Sequence, residues 1–565
     1  MAEEDDDFWT LFIPVITSVA GRSLPKADII PDSESAISIS QNITVVFSKS
    51  MDPYSLILGG SLAGEAGSTI WSSTSIEDDT LTISPAIQWT IGEGKTLLID
   101  AADTDGNAMK TINATYDTGI IYVSRSYGDD SYEGSKATPL QSISAAVSKS
   151  GFPEIHVSSG YYGETIELTS ERTMIGSYNA SSAWDFTFGI DPTIISGDNP
   201  NDGTVTIVGV NATTSISYFT VIGVDATEPG DSSYAMRILN SDGPVELHSM
   251  IIQGGTGQSG TNGSDGTSIS SAAPQGSEGD DAHAEAFVCD DSSMGIGGSG
   301  GGSGASAGGS GGNGGAMDTD CESFPIDYDA QPGEDGYNAA TGSGSGGSGG
   351  NVCNAGVNGD AGQNGDNGSD GPGATTGGSI VDLYWVTQGG ANGSLGSDGT
   401  GGGGGGGSGG CDTGTGSYGA GGGGGGSGGL KAPSPGEGGS GGGGSFGIFI
   451  VNSVLEISDS TIIKGTGGKG GNGGSHGIGQ QGGAGGAGGN GDGDSLKGGD
   501  GGKGGNGGDS GAGGGGAGGD VYGIYRHGST VNTDNVTYTD GSPGFGGSSL
   551  GLSGSGSDGQ NVDIN

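Results

Sequence analysis

The sequence predicts an all-β fold: a β-sandwich, then a short solenoid of stacked coils with glycine-rich insertions at one corner. Three observations carry that expectation. Early in the chain, short apolar and β-branched runs alternate with polar turns and show little helical periodicity. Four later segments, starting at Thr204, Ala235, Gly447 and Gly523, repeat one pattern of short strands around a polar corner, read as two strands per unit. Glycine supplies 135 of the 565 residues and is concentrated between Gly254 and Gly519, much of it in GGX triplets. One repeat unit cannot bury its own apolar face, whereas coils stacked about 4.8 Å apart share a core. A polyglycine II-type helix has three residues per turn, so GGX puts X on one edge and bare backbone on two. Such helices can pack side by side through N–H and C=O groups. The competing reading of the tracts is a set of flexible linkers.

Composition narrows the function classes. Apolar residues make up 30% of the chain and lie mostly outside the glycine tracts, so any third body must rely on backbone hydrogen bonds. The formal net charge is −50, from 66 acidic and 16 basic residues. Between Arg237 and Lys464 the only Lys or Arg is Lys431. A phosphate backbone needs such residues, which argues against nucleic acid and against an anionic membrane as partners. Strong like charge suits salty or cation-rich surroundings.

The chain opens on an acidic and apolar extension, residues 1–14. Its start is acidic where a signal peptide is basic, and its apolar run is too short to span a bilayer; no transmembrane segment is expected. Phe8, Trp9, Leu11, Phe12, Ile13, Val15 and Ile16 form a strand-like run. It is either an ordinary first strand or leader, or a donor strand that completes a neighbouring subunit's sheet and builds a filament.

Residues 15–118 carry the sandwich. The stretch Asn42–Asp52, with Leu81–Pro85 and Asp103–Asn107 behind it, resembles the signature of bacterial Ig-like domains of the S-layer type. That resemblance implies an extracellular spacer module without chemistry. It is departed from in one respect, since both Phe8–Val19 and Ala27–Pro31 could serve as its first strand.

Residues 119–565 carry the solenoid. The run from Ile121 to Val147, followed by Ile155–Glu164, resembles the opening of right-handed parallel β-helices of the pectate-lyase-like superfamily, with one extra residue before Gly128. In that family the stretch from Pro139 begins a short helix that caps the first coil. Ser379-Ile-Val-Asp-Leu-Tyr-Trp-Val-Thr-Gln-Gly-Gly390 reads as a fifth, degenerate repeat. The glycine-rich insertions, at about 257–376, 391–445 and 467–519, then follow the same corner of three successive coils.

Chemistry is sparse. Cys289, Cys321, Cys353 and Cys411 lack the spacing of a zinc site and fit two disulfides of open connectivity, or four unpaired small apolar residues. Arg125, Arg172, Arg237 and Arg526 fall on separate units with no carboxylate cluster, and the five histidines are scattered, so no catalytic residue is assigned and no enzyme is expected. The segment from Gly488 approaches a calcium-binding nonapeptide through Asp492 and Asp494, but Gly493 stands where a ligand aspartate belongs. Calcium is the only cofactor candidate.

The function expected is that of a non-enzymatic extracellular structural protein, a self-assembling filament or surface-layer subunit at a bacterial surface. The alternative is an adhesin. The tracts resemble glycine-helix bundles of phage receptor-binding adhesins, whose end loops bind; Cys411–Gly419 and Ser475–Gln481 would be such loops, facing a glycan or receptor. Ice binding ranks lower because the X positions include Lys, Asn and Asp, and a polysaccharide lyase ranks last.

Overall fold

The computed structural model describes residues 23–187, 189–200, 202–284, 294–320, 327–342, 344–413, 416–551 and 554–565. The run from Phe8 to Val19, with its seven assembly candidates Phe8, Trp9, Leu11, Phe12, Ile13, Val15 and Ile16, lies outside the described residues, as do Cys289 and Cys321.

The described chain is nearly all β. Two four-stranded sheets come first. One has the order Ala27–Ile30, Ile43–Phe47, Thr80–Pro85, Ala66–Ser72; the other Ala36–Ile37, Ile112–Thr118, Gly92–Asp100, Ile57–Gly59. Period-two alternation does the local work: Ile43, Val45 and Phe47 are buried while Thr44 and Val46 are not. They meet Ile37, Leu81, Ile83, Trp89, Leu97, Ile99 and Tyr116 in one core. The Trp89 indole N–H donates to the Gln41 carbonyl at 2.7 Å, so its polar edge is satisfied inside.

Two buried carboxylates pin the loops of this unit. Asp79 accepts from the N–H groups of Thr74, Ser75 and Ile76 at 2.7, 2.8 and 2.9 Å. Asp103 accepts from Lys49 at 2.8 Å and from Asn107 N–H at 2.8 Å. Both are held far below the ordinary carboxylate range, Asp79 first by the Thr74 N–H and Asp103 first by Lys49, with burial opposing. A depressed folded pKa stabilises above the unfolded value, and the benefit is lost as pH falls towards the folded one. Wild-type protein is therefore expected to lose stability between about pH 5 and pH 2. Asp103→Asn should lower the urea midpoint at neutral pH and flatten that decline; equal midpoints at neutral pH would exclude the role.

Past Gly119 the chain enters three parallel sheets of stacked short strands, an arrangement compatible with a β-helix-like fold. Each coil contributes one strand to each sheet. The first full coil is Glu154–Ser158, Gly160–Gly163 and Ile166–Leu168. The last three are Val245–His248, Ile251–Gln253 and Ser445–Val451; then Val454–Ser458, Thr461–Ile463 and Val521–His527; then Thr530–Asp534, Thr537–Thr539 and Asn561–Ile564. The expectation of two strands per unit is thus corrected to three. The third strand was missed because two of the three are parted by only one or two residues and read as a single run: Thr214–Ser217 and Phe219–Ile222 are separated by Tyr218 alone, which turns the chain at φ 65°.

Inward residues stack in register. Ile121, Ile155, Met174, Ile216, Leu247 and Ile457 form one ladder, and Val205, Met236, Ile448, Ile524 and Ile564 another. Corners stack too. Asn240 and Asn452 both adopt the left-handed region, at φ 47° and 48°, and the Asn452 amide donates to the Asn240 side-chain oxygen at 3.1 Å. The helix Ile143–Ser148 covers the first coil with Ile143 and Ala146. Its free N–H groups at Ile143 and Ser144 are taken by the Glu164 carboxylate, each at 2.9 Å.

Residues 379–390 correct a second expectation. They are not a coil. Gly378–Val381 and Tyr384–Thr387 make an antiparallel hairpin around Asp382–Leu383, both at positive φ, as a two-residue turn demands. Trp385 packs on the outer face of the third sheet, 5.5 Å from Phe446 and 5.1 Å from Tyr525. Tyr234, Phe446 and Tyr522 stack nearly parallel beneath it at 5.1 and 5.7 Å. That sheet is covered on both faces, which is why Ser445–Val451 is buried at every position.

The insertions are re-placed accordingly. Residues 254–444 form one excursion between the second and third strands of a coil, and 464–520 the next. The tract at 391–445 starts from the hairpin and only returns to the corner. The third excursion at that corner is 540–560, where Thr256, Thr466 and Ser542 pair in parallel.

Candidate functional site at the tip of the glycine bundle

The excursions lie side by side, joined by backbone hydrogen bonds. In the tract 400–410, Gly402 N–H donates to Gly426, Gly403 to Asp360 and Gly404 to Tyr337, each at 2.9 Å. Gly405 then returns to the first neighbour, at Gly423. Its carbonyls accept from three further tracts: Gly402 from Gly309, Gly403 from Gly502 and Gly404 from Gly347. A backbone that turns by a third per residue thus meets six neighbours, and each donor and acceptor has its own. A Cβ on Gly405 would stand 2.1 Å from the Gly499 carbonyl oxygen.

Glycine density follows the number of walls. Tract 401–410 is buried at every residue and reads GGGGGGGSGG. Tract 467–489 exposes about one position in three and reads GGX for much of its length, while 259–270 exposes two in three and carries Gly only at the third. At the rim, side chains replace missing backbone partners. Asn358, Asn364 and Asn367 accept the N–H groups of Asp500, Asn506 and Asp509 at 2.7, 2.8 and 2.9 Å. Asp265 accepts from Ser475 N–H at 2.8 Å, and that bond holds its carboxyl below the usual range. Part of the acidity is therefore structural. Sequence reasoning missed this, although Asn and Asp recurring in phase with Gly was the available signal.

At roughly 3.1 Å per residue, the tract from Gly257 to Asp281 carries the chain about 75 Å from the corner. There the turns converge. Ala284 pairs with Ser417, and Ser417 with Cys411. Met317–Asp320 and Asp327–Ala330 pair antiparallel. Cys353 N–H donates to the Gly410 carbonyl at 2.9 Å, and Gly356 N–H to Lys497 at 3.2 Å. Cys353 and Cys411 are joined by a disulfide.

Both calcium candidates lie here as ties between turns. Asp492 accepts from Ala284 N–H at 3.2 Å, and Asp494 from the Thr413 hydroxyl at 3.2 Å. Among the described residues no group of three or more His, Cys, Asp or Glu could hold a metal ion. Of the two loops expected to bind, Cys411–Gly419 has its described residues, 411–413 and 416–419, at the tip. Ser475–Gln481 is not there: Ser475 and Ile478 continue the tract beside Asp265 and Ser268, so that expectation is corrected. Two of the four arginines in the solenoid serve backbone. Arg172 donates to Val147 and Lys149 carbonyls under the capping helix, and Arg526 to the Asn565 carbonyl.

No protein-family model matches the chain, and no curated protein matches it. Among the described residues no helix is long and apolar enough to cross a membrane.

Proposed function

We propose that the chain is a non-enzymatic, extracellular surface protein of a bacterium. In this reading an Ig-like module of the S-layer type is the spacer and a right-handed parallel β-helix is the platform. A polyglycine II-type bundle then presents its tip to a surface glycan or receptor. One observation carries it: turns from several tracts meet about 75 Å from the stack and are cross-linked there by Cys353–Cys411. A body hydrogen-bonded through its backbone in all directions is stiff, and stiffness is what presentation at a distance requires. Self-assembly through the apolar run Phe8–Val19 remains part of the proposal, as the mode of attachment to like subunits.

The test is binding of the purified chain to glycan and whole-cell panels, beside a variant with residues 412–416 replaced by Gly-Ser. Saturable binding that the variant loses supports presentation by the tip; equal binding by both, or by neither, removes it. Electron microscopy of the same preparations decides the assembly part. Polymers that vanish on deletion of residues 1–19 support it, and monomers throughout end it.

A further inference from the structure

A cavity of about 460 Å³ opens between the hairpin Gly378–Thr387 and the third sheet, at the root of the bundle. It lies within the size range of small-molecule sites, roughly 300–1,000 Å³. Tyr234, Tyr384 and Trp385 supply its aromatic walls, and Asp202, Asp231 and Ser232 its polar ones. The two sets come from distant parts of the chain, brought together only when the hairpin docks.

We propose that this cavity binds a neutral sugar ring of hexopyranose size. A pyranose has an apolar C–H face that lies against an aromatic ring, and a rim of hydroxyls that donate to carboxylates. Asp202 is partly engaged, accepting from Arg237 at 3.3 Å and from the Asn199 amide at 3.0 Å. A carboxylate accepts about four hydrogen bonds, so capacity remains. The Asp231 carboxylate has no protein partner among the described residues. Sugar hydroxyls donate, which suits a site whose two carboxylates hold spare acceptor capacity.

Charge decides against the other ligand that aromatic walls and carboxylates attract, an organic cation. The Arg237 guanidinium already lies 4.1 Å from the Tyr384 ring centroid and 5.3 Å from that of Tyr234. A second cation would share those rings with a like charge. The inference rests on this cavity alone and does not depend on the tip.

The experiment is ligand-observed NMR and calorimetry on the full chain with methyl glycosides of glucose, galactose, mannose and N-acetylglucosamine, with choline as the cation probe. We expect saturable binding of at least one glycoside, weakened tenfold or more by Asp231→Asn and by Tyr384→Ala. Both positions are partly open to solvent, and an unchanged thermal midpoint checks the fold of each variant. The variant replaced at 412–416 should bind the glycoside like wild type. Absence of glycoside binding, binding of choline alone, or full binding by both point variants would overturn the assignment.

Discussion

Gly405→Ala is expected to open the centre of the bundle. The added Cβ would meet the Gly499 carbonyl oxygen at 2.1 Å and its carbon at 2.4 Å. Neither atom is the free end of a side chain. Gly499 is fixed by its own N–H to Gly406 at 2.8 Å and by the Gly423 N–H that its carbonyl accepts at 2.9 Å. Relief requires one tract to move away from another, which breaks bonds on several sides together. Overpacking a tight interior costs about 1–3 kcal/mol, occasionally more, and each hydrogen bond lost adds about 1 kcal/mol. The sum lies at or above about 3 kcal/mol. Hydrogen exchange should read it as lost protection across 399–410, 421–429 and 498–505. Lys503→Ala, at an exposed X position of a neighbouring tract, should change nothing. Wild-type protection in Gly405→Ala would contradict the six-neighbour packing.

The second large effect belongs to the disulfide. Cys353 and Cys411 stand 58 residues apart, and the chain-entropy model assigns a closed loop of that size roughly 4 kcal/mol. Cys353→Ser with Cys411→Ser is expected to fray the tip first, because fewer tracts surround its turns than surround the centre. Limited proteolysis should then cut near 351–355 and 411–418 while the parallel stack stays intact. Under reducing conditions the wild type should give the same pattern. A variant as resistant as the oxidised wild type would show that backbone bonds alone hold the tip.

Much of the scaffold was legible because it rests on local periodicity. Alternation in Ile43–Phe47 and the Ile-rich repeats from Thr204 onward marked half-buried strands, and an all-β chain with long parallel sheets resulted. The hairpin at 378–387 was not legible. A hairpin strand and a coil strand carry the same period-two alternation, and only the neighbour differs: here the outer aromatic row of Tyr234, Phe446 and Tyr522 in place of the next coil. The same ambiguity hid the excursion at 540–560, which is short and carries no long glycine run. The tip was half legible. The described residues of Cys411–Gly419 lie there, while Ser475–Gln481 interrupts the GGX phase without leaving the tract.

The sequence by itself determined how many walls each glycine tract would have, since every glycine in a triplet marks a face too close for a Cβ. It also determined the spacing of Asn and Asp at the rim. Only the tertiary structure decided which tract lies beside which, and so where the tip and the cavity behind the hairpin form. The reason is physical. Backbone N–H and C=O groups are the same in every tract, so the hydrogen bonds that hold the bundle carry no address. Each tract's place is set instead by the corner of the stack from which it leaves and the hairpin that returns it.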